Sequence, residues 1–309
     1  MPCIIALIIF SILGIFSASH RALAKEAFSC VLNRVTFRPC NIGFKEKIKG
    51  KVLSNLINRS VFLTRVVNKH YEILSWIFFI LMVGSTVWVF NGMYNYYVYG
   101  SCNGLNESGF CAFDPSGENN KTSDGEECGI NRPSPENVTL TDVDLSIFPK
   151  IDTSSKDEVV FVGCYGCKYT REVYPEISKL LEKKKFNYIF AHFPVKKDSE
   201  FLSNIGYCVY KDYEEDFWKL NDYLFTAPLD YILNKNNTIE ILEKFDFDIQ
   251  KVMLCSEDND TKTFVERQRD EIEKMNIYGT PTIFINKKPF IGPKPYRVYK
   301  SAINKFIFF

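Results

Sequence analysis

Histidine is nearly absent from this chain of 309 residues: there are three, and only His192 falls in the C-terminal half. A second close cysteine pair is missing as well, because beyond Cys164 and Cys167 the later cysteines, Cys208 and Cys255, stand alone. Structural zinc sites usually take four ligands from closely spaced Cys and His pairs, so both shortages weigh against zinc. Charge imbalance is lacking too: 38 Lys and Arg oppose 37 Asp and Glu, for a net charge of +1. That balance argues against a nucleic-acid role, and no nucleic-acid partner is expected. Two apolar runs carry almost no charge. Residues 2–19 have none before His20 and Arg21, and residues 73–99 have none at all.

The near-neutral total hides an asymmetry. Residues 20–70 hold eleven cations (Arg21, Lys25, Arg34, Arg38, Lys45, Lys47, Lys49, Lys51, Arg59, Arg65 and Lys69) against Glu26 and Glu46. The run 73–99 is long enough to span a bilayer, and Tyr94, Tyr96, Tyr97 and Tyr99 crowd its far end as interfacial residues do. Basic loops stay on the cytoplasmic side. The expected order is a transmembrane helix or signal-like segment over 1–19, a basic cytoplasmic loop over 20–72, and a transmembrane helix over 73–99. A cysteine-containing extracytoplasmic linker over 100–149 and a folded domain over 150–309 follow. Both the N-terminus and that domain then lie outside. A signal peptide ending at Ala22-Leu23-Ala24 is the competing reading of the first segment, although no cation precedes its apolar run. The basic loop suits contact with anionic lipid. Cys30 and Cys40 lie in it, on the reducing side.

Seven of the ten cysteines lie beyond residue 100, in the part placed where disulfides persist. Asn106, Asn120, Asn137, Asn236 and Asn259 each begin an N-x-[ST] sequon there, which agrees with exposure without proving it. Residues 101–142 are polar and rich in Gly, Asn, Ser and Pro, without a period, and read as a linker. The pairing among its Cys102, Cys111 and Cys128 is open.

The chemistry concentrates at Cys164-Tyr165-Gly166-Cys167. An apolar strand delivers Cys164, and an amphipathic helix follows. Unpaired N–H groups and the positive end of a helix dipole favour a thiolate, which is the nucleophile of disulfide exchange. Cys167 is one turn further on, placed to resolve a mixed disulfide. On these residues alone, half of a metal site and a small structural disulfide remain compatible.

Far downstream, Gly279-Thr280-Pro281 leads into a short apolar strand, Thr282-Ile-Phe-Ile285. Proline cannot donate a ladder hydrogen bond, so it belongs at an edge or irregular strand start. Between the two motifs lies a strand at 187–193 and a mainly helical stretch, with apolar residues at helical spacing in Phe217-Trp218 to Phe225. Together with Pro175, Cys208 and Leu254-Cys255, these motifs resemble the thioredoxin superfamily, and within it the DsbA-like proteins with a helical insertion. The resemblance covers residues 150–309, with the insertion at about 199–275.

It implies an α/β thioredoxin-like fold behind the membrane segments, with Cys164 as nucleophile and Cys167 as resolving thiol. Thr280 and a cis Pro281 would hold the substrate backbone. It implies a structural Cys208–Cys255 disulfide in the insertion, against the alternative of two buried thiols. The activity implied is that of a membrane-tethered thiol–disulfide oxidoreductase acting on exported proteins, served by a membrane oxidase of the DsbB or VKOR kind, with no cofactor and no metal. The alternative is a non-catalytic client-binding or metal-carrier module. One departure matters. Tyr165-Gly166 stands where strongly oxidising bacterial members carry Pro-His, so no imidazolium supports the thiolate from within the motif. No acid lies inside the preceding strand, and His192 at a strand end reads as structural.

Overall fold

A computed structural model describes residues 18–35, 42–57, 60–107, 109–121, 137–195 and 197–303. The chain divides into two compact units, one ending at Phe90 and one running from Asn91 to Phe309.

The first unit is helical: α1 (Ala18–Val35), α2 (Ile42–Ile57) and most of α3 (Val61–Tyr99). The segment expected as a basic loop is thus largely helix, as its Lys, Leu and Ala content permits. Cys30 is buried and disulfide-bonded rather than a thiol. Helix α3 leaves helical geometry at His70 and then runs through Trp76–Tyr99, 24 residues of mean hydropathy 1.7 with none buried. At 1.5 Å per residue that is about 36 Å, enough to cross the hydrocarbon core. Its Ser85 and Thr86 hydroxyls donate to the Met82 carbonyl within the helix. Among the described residues it is the one helix that meets this description. The other expected span, over 1–19, lies outside the described residues apart from Ala18 and Ser19, which open α1. Gly100, at φ 76°, ends α3 with its N–H on the Tyr96 carbonyl.

The second unit is built on a five-stranded sheet in the order β1-β3-β2-β4-β5: β1 (Lys150–Ile151), β2 (Glu158–Gly163), β3 (Asn187–His192), β4 (Thr282–Ile285) and β5 (Lys288–Ile291). Strands β2 and β3 are parallel, and β1, β4 and β5 join antiparallel to their neighbours. Strand β2 is central and buried on both faces, which explains its continuous apolar run. Val159 and Phe161 point into one core, Val160 and Val162 into the other. Asn286 and Lys287, at φ 49° and 69°, close the β4–β5 hairpin.

Helix α4 (Lys168–Lys183) follows β2 and buries Thr170, Val173, Tyr174, Ile177 and Leu180 on one face, continuing past the exposed Pro175. Helices α5 (Phe201–Asp212), α6 (Glu214–Thr226), α7 (Ile249–Glu257) and α8 (Asn259–Lys274) form the insertion, with single turns at Leu229–Ile232 and Thr238–Leu242. A Cys208–Cys255 disulfide ties α5 to α7, with the Cα atoms 6.0 Å apart. The chain re-emerges through β4 and β5 and finishes the fold with α9 (Tyr296–Ile303).

The stretch expected as a linker is more structured than its composition predicts. Cys102 and Cys111 are disulfide-bonded, while Cys128 lies outside the described residues. The Asn106 side chain pairs with the outer edge of β5, donating to the Pro289 carbonyl at 2.9 Å and accepting from the Ile291 N–H at 2.9 Å. The buried Lys294 ammonium donates to the carbonyl of Asn119 at 2.7 Å and to the Asn120 side chain, and burial pushes its pKa down to about 7. Two of the sequon asparagines, Asn106 and Asn120, are therefore packing elements. Further on, Val138 and Phe148 are buried in the second core, and the Asp144 N–H donates to Glu271 at 2.9 Å. Pattern alone misses the polar anchors among these because each joins a single side chain to a group far away in the chain.

Candidate active site

Both cysteines of the C-x-x-C are buried thiols; Cys164 has 0% of its surface exposed and Cys167 2%. Strand β2 ends at Gly163, so Cys164 is the first residue past the sheet. Gly163 is needed there, since a Cβ would stand 2.8 Å from the Thr170 methyl and 3.1 Å from the Phe161 ring. The helix begins later than the pattern suggests. Tyr165 and Gly166 make a turn closed by the Cys167 N–H on the Cys164 carbonyl at 3.1 Å, and Cys167 is the N-cap of α4.

Pro281 comes to this turn across more than a hundred residues. The Cys167 thiol donates to the Thr280 carbonyl at 3.3 Å, and the Thr280–Pro281 peptide bond is cis. Pro281 sits at the start of β4, where a missing N–H costs nothing, and its carbonyl accepts from the Gly292 N–H. Thr282 steadies the turn by donating its hydroxyl to the Gly279 carbonyl at 2.9 Å. The four residues expected at the site, Cys164, Cys167, Thr280 and Pro281, are thus one cluster. The Cys208–Cys255 pair belongs to the insertion.

Other residues complete the site without a sequence signal. Ser199, fully buried on the turn Lys197–Ser199, holds its hydroxyl 3.4 Å from the Cys164 sulfur. Arg171, in the first turn of α4, donates to the carbonyls of Tyr165, Leu224 and Ala227, tying the dipeptide between the cysteines to the end of α6. Burial lowers its pKa, and its guanidinium still carries positive charge beside the pair. The Tyr165 hydroxyl donates to Asn221 at 2.8 Å, its ring packs on Phe225, and its burial pushes the phenol pKa up.

His192 lies at the end of β3 beside Gly163 in register, its ring 4.4 Å from that of Tyr165. Its Nδ1 pairs with the Ser203 hydroxyl at 2.8 Å, and its buried Nε2 has no hydrogen-bond partner among the described residues. That nitrogen belongs to a residue lining a cavity of about 20 Å³, along with Tyr165, Ser203 and Gln268. Desolvation lowers the His192 pKa to about 3, so it is neutral.

A two-cysteine turn after a central strand, lying against a cis-proline at the start of an antiparallel strand, agrees with the match between residues 152–305 and the protein family described as thioredoxin. Those residues form a DsbA-like thioredoxin-superfamily domain, a thiol–disulfide oxidoreductase. The chain is 26% identical over 196 residues to Disulfide bond formation protein D of Bacillus subtilis (strain 168), covering 60% of this chain and 85% of that one. Among solved structures, oxidised BdbD from B. subtilis matches 53% of this chain and 94% of its own at 21% identity and a TM-score of 0.44. The thiol–disulfide exchange protein α-DsbA2 from Wolbachia pipientis matches 51% and 86% at 17% identity and a TM-score of 0.47. The DsbA-like domain thus takes up about half of the chain, and the described residues before it carry the apolar helix and the disulfide-clipped segment.

Proposed function

We propose that the Cys164–Cys167 pair is the exchange centre of a membrane-tethered oxidoreductase that forms disulfides in exported proteins. The observation that carries this reading is the Cys167 thiol lying 3.3 Å from the Thr280 carbonyl, next to the cis-proline. That contact puts a dithiol where an extended substrate segment would lie along Thr280 and Pro281. In the forward direction a substrate thiolate attacks the oxidised pair at the Cys164 sulfur. A bond forms between those two sulfurs, the Cys164–Cys167 bond breaks, and Cys167 leaves with the electron pair. A second substrate thiolate then attacks the substrate sulfur of the mixed disulfide, and Cys164 leaves as thiolate. The substrate gains one disulfide, and the pair holds the two electrons. An electron acceptor must restore it, for which a membrane oxidase of the DsbB or VKOR kind is suited.

The name of the B. subtilis relative supports the oxidising direction, and the Tyr165-Gly166 spacer points to a milder couple than one with histidine there. For the membrane arrangement, the proposal is two spans. Residues 20–72 are cytoplasmic and in contact with anionic lipid, and the N-terminus and the DsbA-like domain lie outside. The apolar α3 segment and the eleven cations before it support this reading.

The test uses the full chain in detergent or nanodiscs with a reduced dithiol peptide. Oxidation of the peptide by the pre-oxidised protein is expected to fall to background in Cys164→Ser, while Cys208→Ala with Cys255→Ala keeps it. Undiminished oxidation by Cys164→Ser removes the assignment, and catalysis of peptide reduction alone reverses the direction.

A further inference from the structure

We propose that Ser199 is a catalytic residue of the exchange reaction, the hydroxyl that holds the Cys164 thiolate. This rests on Cys164 being the nucleophile. The Ser199 oxygen is 3.4 Å from the Cys164 sulfur, and both residues are fully buried. With Cys164 a thiol, either atom can donate. Once the proton leaves for solvent, sulfur has only lone pairs, so in that state the contact is made with the hydroxyl as donor. A hydrogen bond to a charged acceptor is stronger than one between neutral groups, and a buried one stronger again.

The surroundings make this contact a built one. Helix α4 opens only at Lys168, so the Cys164 sulfur belongs to the turn before the helix. The Cys167 N–H donates to the Cys164 carbonyl at 3.1 Å. The dipeptide between the cysteines has no histidine. The Ser199 hydroxyl comes from the turn Lys197–Ser199, which opens the helical insertion. Gly166 lies close by: a Cβ there would stand in ordinary contact with the Ser199 Cβ at 3.4 Å and its oxygen at 3.5 Å.

The hydroxyl favours the reduced pair, because only that state carries the thiolate. Removing it is expected to lower the thiolate fraction of Cys164 about tenfold at pH values below its half-point. At pH values above the variant's half-point, where the reduced pair carries the thiolate in either protein, the same tenfold bias toward the disulfide makes the couple more reducing by about 30 mV.

The experiment follows the pH dependence of Cys164 alkylation in the full chain by peptide mapping, with the reduction potential of the pair measured beside it. Ser199→Ala is expected to move the alkylation half-point up by about one pH unit and the potential down, whereas Ser199→Thr, which keeps the hydroxyl, stays near the parent. A merely structural serine would shift thermal stability and leave both readouts in place. Profiles for Ser199→Ala that superimpose on the parent overturn the proposal, as does an equal shift in Ser199→Thr. If the most reactive thiol of the parent maps to a cysteine other than Cys164, the nucleophile assignment itself fails, a result read from the parent alone.

Discussion

At the scale of single residues, His192 shows how a neutral group can be held next to a redox site. Its ring packs on Tyr165, one nitrogen is tied to Ser203, and desolvation lowers its pKa to about 3. An unfolded histidine titrates near 6.5, so between those values unfolding takes up a proton. The contribution of His192 is therefore at its full value above the unfolded pKa and declines as pH falls toward the folded one, by up to about 1.4 kcal/mol per pH unit. In urea titrations, His192→Gln is expected to weaken the loss of stability between about pH 6 and pH 4 by that slope. Equal slopes in parent and variant would show that the imidazole takes up protons while folded. The residue itself stood out in the sequence, but its burial did not. A histidine at a strand end reads the same whether its ring faces solvent or a tyrosine contributed by the next turn.

At the scale of elements, the insertion is held to itself by one covalent tie. The Cys208–Cys255 bond joins α5 to α7 across 47 residues, a stretch that includes α6 and two isolated helical turns. Closing a loop of that length removes conformational freedom from the unfolded chain worth about 4 kcal/mol in the chain-entropy view. The double variant Cys208→Ala, Cys255→Ala is expected to lose about that much stability in chemical denaturation. The alkylation rate of Cys164 should remain that of the parent, since these sulfurs lie within the insertion. Parental stability in the double variant would show that the bond closes nothing the unfolded chain was free to explore. Strands β2, β3 and β4 and the helical character of the insertion were legible from period and turn residues, whereas β1, only two residues long, β5, which contains Pro289, and the short α9 were not. Helix α8, with polar faces in sequence, nonetheless buries Ile272, and Met275 just beyond it, against the sheet. The start of α4 was misplaced because the turn at Tyr165-Gly166 is set by Arg171 and by packing, neither of which has a local sequence pattern.

At the scale of the whole chain, the question is which side of a membrane each part occupies. The proposed two-pass arrangement has residues 20–72 in a reducing compartment, whereas a disulfide at Cys30 persists only on the oxidising side. In intact cells, the proposed two-pass arrangement predicts that lysines of residues 20–72 are modified by an impermeant reagent only after permeabilisation, whereas recovery of the Cys30 disulfide from native membranes would put this segment on the oxidising side. Modification from outside would remove the arrangement. Charge counting located the asymmetry and the apolar segment, because both are properties of composition. What it missed was the folded character of residues 100–107 and 109–121, where Asn106, Asn119 and Asn120 serve β5 and Lys294. A polar, glycine-rich stretch looks alike whether its side chains meet water or a strand edge.

The Asn106 contact also bears on how the protein is made. An uncovered outer strand is a template for pairing with other chains, and the danger is greatest while a chain is still emerging. Here the covering group precedes the strand in order of synthesis: Asn106 leaves the ribosome 185 residues before Ile291, the backbone it accepts from. Its loop can already be closed by the Cys102–Cys111 bond, a separation of only nine residues. The last strand of the sheet is therefore born into a fold whose guard is already waiting, so no stage of biosynthesis needs to expose that edge to a neighbouring nascent chain.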